Sequence, residues 1–373
     1  MKKHKKILII GPFNEKGGRE IEASFLYNIF KEKYDVTIAS TEILSDNSLI
    51  YKLTKSDKIF SKLKRTGVLF KILNFLFNGK VWFKLNKKFR FSNYEKLIKE
   101  ADVIFILAQV ISSNVKKIIE ISSNYNKKII FRTTGTNPVF NIQYLDIQLL
   151  TCLMKVDVYV HHSVQNCERL KKTFNHNFEI IDQTIYSNKK INKFKTIKNI
   201  NEFYCASRID KNKNLEIVIK VFNELKNVDV ILHIYGDGDD LEYVKSLSNS
   251  DKILFHGYLE HEELMIKLAE HDCLIISSFE ESGPYTALEA MAYSRLILST
   301  HVGAMNERLE RAPYAWQFDS NCSESLKSRI LELTNYNQEK INIIQKYLRK
   351  MYFSNYSSKN IKKKYLRLIE KYC

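Results

Sequence analysis

The chain has 373 residues, 45% of them hydrophobic and 27% charged, a balance that excludes a disordered or fibrous polypeptide. At roughly 150 residues per domain, that length accommodates two or three domains. Fifty-nine basic residues against 42 acidic ones leave a net charge of +17, which calls for an anionic partner: nucleic acid, an acidic membrane surface or a phosphorylated substrate.

In chain order, the first apolar run is Ile7–Ile10, which stops at Gly11-Pro12. It is too short for a signal peptide and predicts a buried first strand. Similar short runs follow at Val36–Ala39, Val103–Leu107, Ile129–Phe131 and Val156–Val160, then at Phe203–Ala206, Val228–Tyr235, Ile253–His256, Cys273–Ser277 and Leu296–Ser299. Runs apolar on both faces, alternating with helix-patterned segments, predict parallel strands covered on both sides. Ten strands are too many for one ordinary sheet, so the expected fold is α/β with two doubly wound domains. The first spans residues 1–187 and the second 197–353, separated by the polar stretch 187–196. A final helix at 358–373 is expected to pack back on the first domain. The six cysteines form no Cys-x-x-Cys pair, which points to a reducing compartment and to no zinc. No apolar stretch approaches the roughly 18 residues a spanning helix needs.

The densest chemistry is Ser278-Phe-Glu-Glu-Ser-Gly-Pro-Tyr-Thr-Ala-Leu-Glu-Ala-Met-Ala292. Pro284 suits the first helical position, where its missing N–H costs nothing. Backbone N–H groups of Tyr285 to Ala287 then face out of the helix end, a seat for phosphate. Glu281 precedes this helix and Glu289 lies inside it. Ala287, Leu288, Ala290 and Met291 predict a packed face beside Glu289, so its carboxylate needs a partner such as a ribose hydroxyl. A second cluster, Ser207-Arg-Ile-Asp-Lys-Asn-Lys-Asn-Leu-Glu216, puts Arg208 and Lys213 in a strand-to-helix loop, where two cations can neutralise a diphosphate; a solvated basic loop reads the same way. Asp237 and Asp239 imitate a metal-binding Asp-x-Asp, but a glycine turn capped by aspartate accounts for them. His161 and His162 are neighbours on a strand and point to opposite faces, so they do not share an ion.

These motifs resemble the family 4 retaining glycosyltransferases of GT-B architecture, in which two Rossmann-like domains face each other across a cleft. The resemblance rests on Glu281-x7-Glu289, the Ser-Arg-Ile-Asp-x-x-Lys-Asn loop, Gly236-Asp-Gly238, Phe255-His-Gly257, Val302-Gly303 with Glu307, and Gly17-Gly18 as the family's glycine loop. It implies transfer of a hexosyl group from a nucleotide sugar with retention, without a metal or other cofactor. By the same resemblance Glu281 contacts the donor sugar and Glu289 the ribose, while Arg208 and Lys213 stabilise the departing diphosphate. Gly17, Gly18, Gly236, Gly257, Ser282, Gly283, Pro284, Tyr285 and Thr286 complete the donor site. Three departures stand out: Thr134 occupies about the place of a frequent His, Ser282-Gly283-Pro284 replaces Gly-Phe-Gly, and Ile181-Asp-Gln-Thr-Ile185 replaces Asn-Gly-Val/Ile-Asp.

Residues 51–90 hold twelve Lys or Arg and one acid, Asp57, interleaved with Phe60, Phe70, Phe75, Phe77, Trp82 and Phe83. Cations among aromatics suit an anionic membrane surface; they also suit single-stranded nucleic acid, and a helical insertion with solvated lysines has the same composition. Because the segment follows the second strand of the acceptor-side domain, the expectation is a glycan or lipid-linked acceptor on the cytoplasmic face of the membrane, in cell-surface polysaccharide synthesis (O-antigen, capsule or lipooligosaccharide type), and no nucleic acid. Two other classes compete: a nucleotide-sugar epimerase of the same architecture, which needs no acceptor, and a basic membrane- or nucleic-acid-binding protein without catalysis. The latter leaves Glu281, Glu289, Arg208 and Lys213 without a role. A nicotinamide-dependent oxidoreductase is disfavoured because neither half carries Gly-x-Gly-x-x-Gly after its first strand.

Overall fold

The computed structural model describes residues 5–13, 18–40, 94–112, 114–136, 146–185 and 196–372. Gly17, the basic segment 51–90 and most of the polar stretch 187–196 lie outside the described residues. The chain divides into two compact units, one drawn from residues 1–161, 166–181 and 362–373, the other from 162–165 and 182–361.

The first unit is built on a parallel sheet of β1 (Lys6–Gly11), β2 (Asp35–Ser40), β3 (Val103–Ala108), β4 (Lys128–Thr133), β5 (Val158–His161) and β6 (Phe178–Ile180), in the order β2-β1-β3-β4-β5-β6. Every residue of β3 and β5 is buried, as expected of strands with helices on both faces. β6 is the one strand the sequence pattern does not reveal. It is a three-residue edge whose side chains are exposed or half-buried, so it carries no apolar run.

The second unit contains β7 (Glu202–Ala206), β8 (Ile231–Tyr235), β9 (Ile253–Gly257), β10 (Cys273–Ile276) and β11 (Leu296–Ser299), all parallel, in the order β11-β10-β7-β8-β9. Strand order reverses between β7 and β10. Loops leaving those two strands diverge there, which opens the crevice where doubly wound sheets take ligands. Both units are therefore Rossmann-like, and the ten apolar runs all lie on strands of the two sheets. Among the described residues, no helix is long and apolar enough to cross a membrane.

Buried charge is concentrated at a few points. In the first unit Arg132, on β4, is fully buried and meets Glu22 at 2.6 Å, while its Nη1 donates to the Ile181 carbonyl at 2.6 Å. Tyr365 of the helix Ser358–Tyr372 also donates to Glu22, at 3.3 Å, and its ring packs edge-on against Phe30 and Phe105. Removing one partner strands the other charge in the interior. Glu22→Ala is expected to cost about 3–5 kcal/mol, read as a lower urea midpoint, whereas Glu22→Leu combined with Arg132→Met should recover much of the loss. A single variant as stable as the parent would show that the pair is not holding this unit together.

Candidate active site

At the carboxyl edge of the second sheet, three loops meet backbone to backbone. The loop after β7 bonds to the loop after β8 through Ser207 N–H to the Tyr235 carbonyl (3.1 Å) and Ile209 N–H to the Asp237 carbonyl (2.9 Å). Gly236 N–H donates in turn to the Gly257 carbonyl at the end of β9 (2.8 Å). Gly236 adopts φ +134°, and a Cβ there would sit 1.8 Å from the Ser207 carbonyl oxygen; one on Gly238 would sit 2.2 Å from that of Ile209. The Gly-Asp-Gly turn is thus glycine-rich because another backbone lies against it. Asp237 Oδ1 accepts from Gly238 N–H at 2.8 Å, so this aspartate caps its own turn.

The loops after β7 and β10 are stitched across the switch point. Asn212 accepts from Glu280 N–H at its side-chain oxygen (3.1 Å), donates from Nδ2 to the Glu280 carbonyl (2.8 Å) and accepts from Phe279 N–H at its own carbonyl (2.8 Å). Ser277 Oγ donates to the Lys213 carbonyl at 2.7 Å. Held this way, Lys213 Nζ reaches Glu281 Oε1 at 2.5 Å, and Ser278 Oγ donates to the same oxygen at 2.9 Å. Both side chains of the ion pair keep about a fifth of their surface exposed, which leaves them reachable from solvent. Arg208 is exposed and makes no ion pair with a described residue.

The helix Tyr285–Ala292 begins one residue later than the sequence suggests. Pro284 is its cap rather than its first helical residue, because ψ of 119° is extended. Ala287 N–H folds back to the Pro284 carbonyl at 3.3 Å, so one of the three N–H groups expected to face a ligand is already used. A fully buried Arg308 fixes the helix mouth. Its Nη1 donates to the Pro284 carbonyl at 2.5 Å, and its Nε and Nη2 grip Asp182 at 2.8 and 2.7 Å. A Cβ on Gly283 would approach Arg308 Nη2 to 3.2 Å, so that glycine too makes room for the clamp. Gly303, at φ +52°, lies against the Glu281 and Ser282 carbonyls, and Ala304 N–H donates to the latter at 3.1 Å.

Glu289 is 2% exposed and already has a protein partner, His261, whose Nε2 lies 2.7 Å away. The partner that a buried carboxylate requires is therefore supplied, at least in part, by the protein itself. His261 opens the helix His261–Leu268, and nothing in the local sequence distinguishes it from a surface histidine. Ser282, Tyr285 and Thr286 line the first turn, half-buried. In the first unit Gly18 starts the helix Gly18–Phe30, and Thr134 is buried with a hydroxyl that meets no partner among the described residues. Asn212, His261 and Arg308 are the residues that sequence reasoning passes over. Arg308 shows why: an arginine beside Glu307 in a five-residue helix gives no sign of being buried.

Two clusters among the described residues have metal-ligand spacing, His161–Cys167–His176 and Glu202–His233–His271. Neither includes Glu281 or Glu289.

Residues 187–351, nearly all within the second unit, match the family described as glycosyl transferases group 1. No curated protein sequence matches the chain. Solved structures similar along the whole length include HepE of Anabaena in complex with UDP-glucose, at 13% identity and a TM-score of 0.69, covering 99% of this chain and 100% of that one. A glycosyltransferase of Rickettsia africae shows 16% identity and 0.68, over 99% and 98%. The lipopolysaccharide outer core galactosyltransferase WaaB shows 15% and 0.61, over 94% and 97%. At these identities the likeness establishes the fold, and that fold is GT-B.

Glu289 holds the His261 imidazolium, chiefly through their hydrogen bond and against the effect of burial, so the pKa of His261 lies above its ordinary 6.5. A raised folded-state pKa gives stability that is complete below about pH 6.5 and fades as pH climbs through the folded value. His261→Gln should therefore lower the melting temperature more at pH 6 than at pH 9. Equal losses at both would remove the charge from the interaction.

Proposed function

We propose that this protein is a retaining glycosyltransferase that moves a hexosyl group from a nucleotide sugar to a glycan or lipid-linked acceptor in cell-surface polysaccharide synthesis. The observation that carries the reading is the Lys213–Glu281 contact, made between the loops after β7 and β10 where the strand order reverses. In this reading the leaving diphosphate sits by Lys213, with the unpaired Arg208 as second cation. Negative charge grows on that group as the glycosidic bond breaks, and cations already in position lower the barrier without reorganising. The chain's own cations do this work, so no metal is required. Glu281 orients the donor sugar through its hydroxyls, and the Glu289–His261 pair offers a carboxylate to the ribose. Gly236 contributes by letting the Ser207 backbone come close, Gly283 by making room for the Arg308 clamp, and Gly257 by accepting from Gly236 N–H. Support for a nucleotide-sugar donor comes from HepE, solved with UDP-glucose; support for a lipid-linked glycan acceptor comes from WaaB, a lipopolysaccharide galactosyltransferase.

Glu281→Gln and Lys213→Ala should each lower kcat by about 10²–10³-fold, measured as nucleotide release from a panel of UDP-, GDP- and dTDP-sugars with glycan acceptors. Proton NMR of the product should show the donor's anomeric configuration. Full turnover by Glu281→Gln would sink the assignment, and inverted product would sink retention.

The acceptor proposal adds a cytoplasmic enzyme resting on the inner face of the membrane through residues 51–90. Near an anionic surface each basic residue is worth about 1 kcal/mol, so a few lysines suffice for reversible binding. Replacing Lys58, Lys62, Lys64, Lys84 and Lys88 with glutamine should abolish co-sedimentation with phosphatidylglycerol vesicles at low salt. Unchanged sedimentation would count against the surface role and leave the transfer chemistry untouched.

A further inference from the structure

At the carboxyl end of β5 the first unit holds a cluster that the transfer reaction does not use. His161 Nε2 and His176 Nε2 lie 3.0 Å apart, with ring centroids 5.2 Å apart and planes inclined at 64°. Cys167, on the helix Val164–Lys171, brings its Sγ so that the three ligand atoms all fall within 4.8 Å of one another. Each imidazole is anchored at its opposite nitrogen. His176 Nδ1–H donates to the Phe174 carbonyl at 3.1 Å, which leaves its Nε2 as a bare lone pair. His161 Nδ1 faces Thr133 Oγ1 at 3.1 Å.

We propose that His161, Cys167 and His176 form a zinc site of three protein ligands, with water completing the tetrahedron. A tetrahedral ion at about 2.0–2.1 Å from two imidazole nitrogens holds them about 3.4 Å apart and their ring centres about 5 Å apart. The observed pair needs a shift of only a few tenths of an ångström. Inclined rings matter, because the in-plane lone pairs of stacked, offset rings run in separate planes and cannot meet at one point. The comparison within this chain is Glu202–His233–His271, where His233 and His271 stack at 4.2 Å and 27°. Those lone pairs run side by side, and the other nitrogens and the carboxylate close a hydrogen-bond network with Tyr235 and His256. Two imidazoles and a thiolate suit zinc rather than magnesium or calcium. A carbonyl on one imidazole and a hydroxyl on the other give the outer contacts that orient metal-binding histidines.

Binding balances simply. The Cys167 thiol proton leaves to solvent, and the ring proton of His161 moves from Nε2 to Nδ1, where Thr133 Oγ1 accepts it. Thr133 keeps its own hydroxyl proton on the Val160 carbonyl, 3.3 Å away. The ion then ties the end of β5, the following helix and the turn before β6 together. Adjacent His161 and His162 could not do this, and the missing ligands come from six and fifteen residues further on. The site stands independently of the glycosyltransferase reading.

The full chain, stripped with EDTA, is titrated with Co²⁺ and then Zn²⁺. Wild type should develop a thiolate-to-cobalt charge-transfer band that Zn²⁺ displaces, and should retain about one more equivalent of zinc than Cys167→Ser or His176→Gln. Glu202→Gln should keep the band. In wild type alone, Zn²⁺ should slow alkylation of Cys167 followed by mass spectrometry, a readout that needs no variant to fold. Absence of the band in wild type, or its persistence in Cys167→Ser, overturns the site; so does an alkylation rate that zinc leaves unchanged.

Discussion

The contact between Lys213 and Glu281 is a junction between two loops that the sheet itself drives apart. β7 and β10 are neighbours, yet their chains leave toward opposite faces, and nothing in a doubly wound sheet brings the loops back together. Here Asn212 closes the gap with three hydrogen bonds to Phe279 and Glu280, and Ser277 adds a fourth through the Lys213 carbonyl. Charge alone would not do this, since an ion pair with partly exposed ends is worth little against the side-chain freedom it removes. Hydrogen bonds set the positions, and the ion pair follows.

Buried charges act in the same way elsewhere. Arg308 grips Asp182 and the Pro284 carbonyl, and Arg132 grips Glu22 and the Ile181 carbonyl. Each cation spends one contact on a backbone carbonyl at the edge of an element, so the pair fixes a turn as well as neutralising itself. Apolar side chains of equal volume could fill either space at no greater cost in stability. They could not hold the mouth of the helix Tyr285–Ala292 at a set orientation, because only a directional donor meets the Pro284 carbonyl.

How much of this is legible in the sequence follows from what each feature depends on. Strands buried on both faces write themselves as apolar runs, so all the long ones can be read directly, while the three-residue edge β6 leaves no run to read. The loop motifs are legible for the same local reason: Gly236 and Gly238 sit beside a strand end, and Glu281 sits before a helix former. What those motifs touch is not local. The glycines meet the Ser207 and Ile209 carbonyls rather than only a ligand, and Glu289 meets a histidine 28 residues earlier. Asn212 sits in the open within a motif, but its partners lie 68 residues away. Side-chain chemistry can be guessed from residue type; the partner is set by topology.

Topology also decides how the Lys213–Glu281 pair can coexist with an anionic ligand. An ammonium group has three N–H donors, and Glu281 uses one of them. A diphosphate can take the remaining donors without separating the pair, and Glu281, relieved of none of its charge, keeps a second oxygen for a sugar hydroxyl. Ser278 Oγ donates to the oxygen that Lys213 holds, leaving Oε2 outside both of these bonds. Under the proposed function the pair would serve as a template rather than a lock, one end presenting donors to the leaving group and the other an acceptor to the sugar. Their separation is fixed by the side-chain and backbone hydrogen bonds of Asn212, which no ligand needs to break.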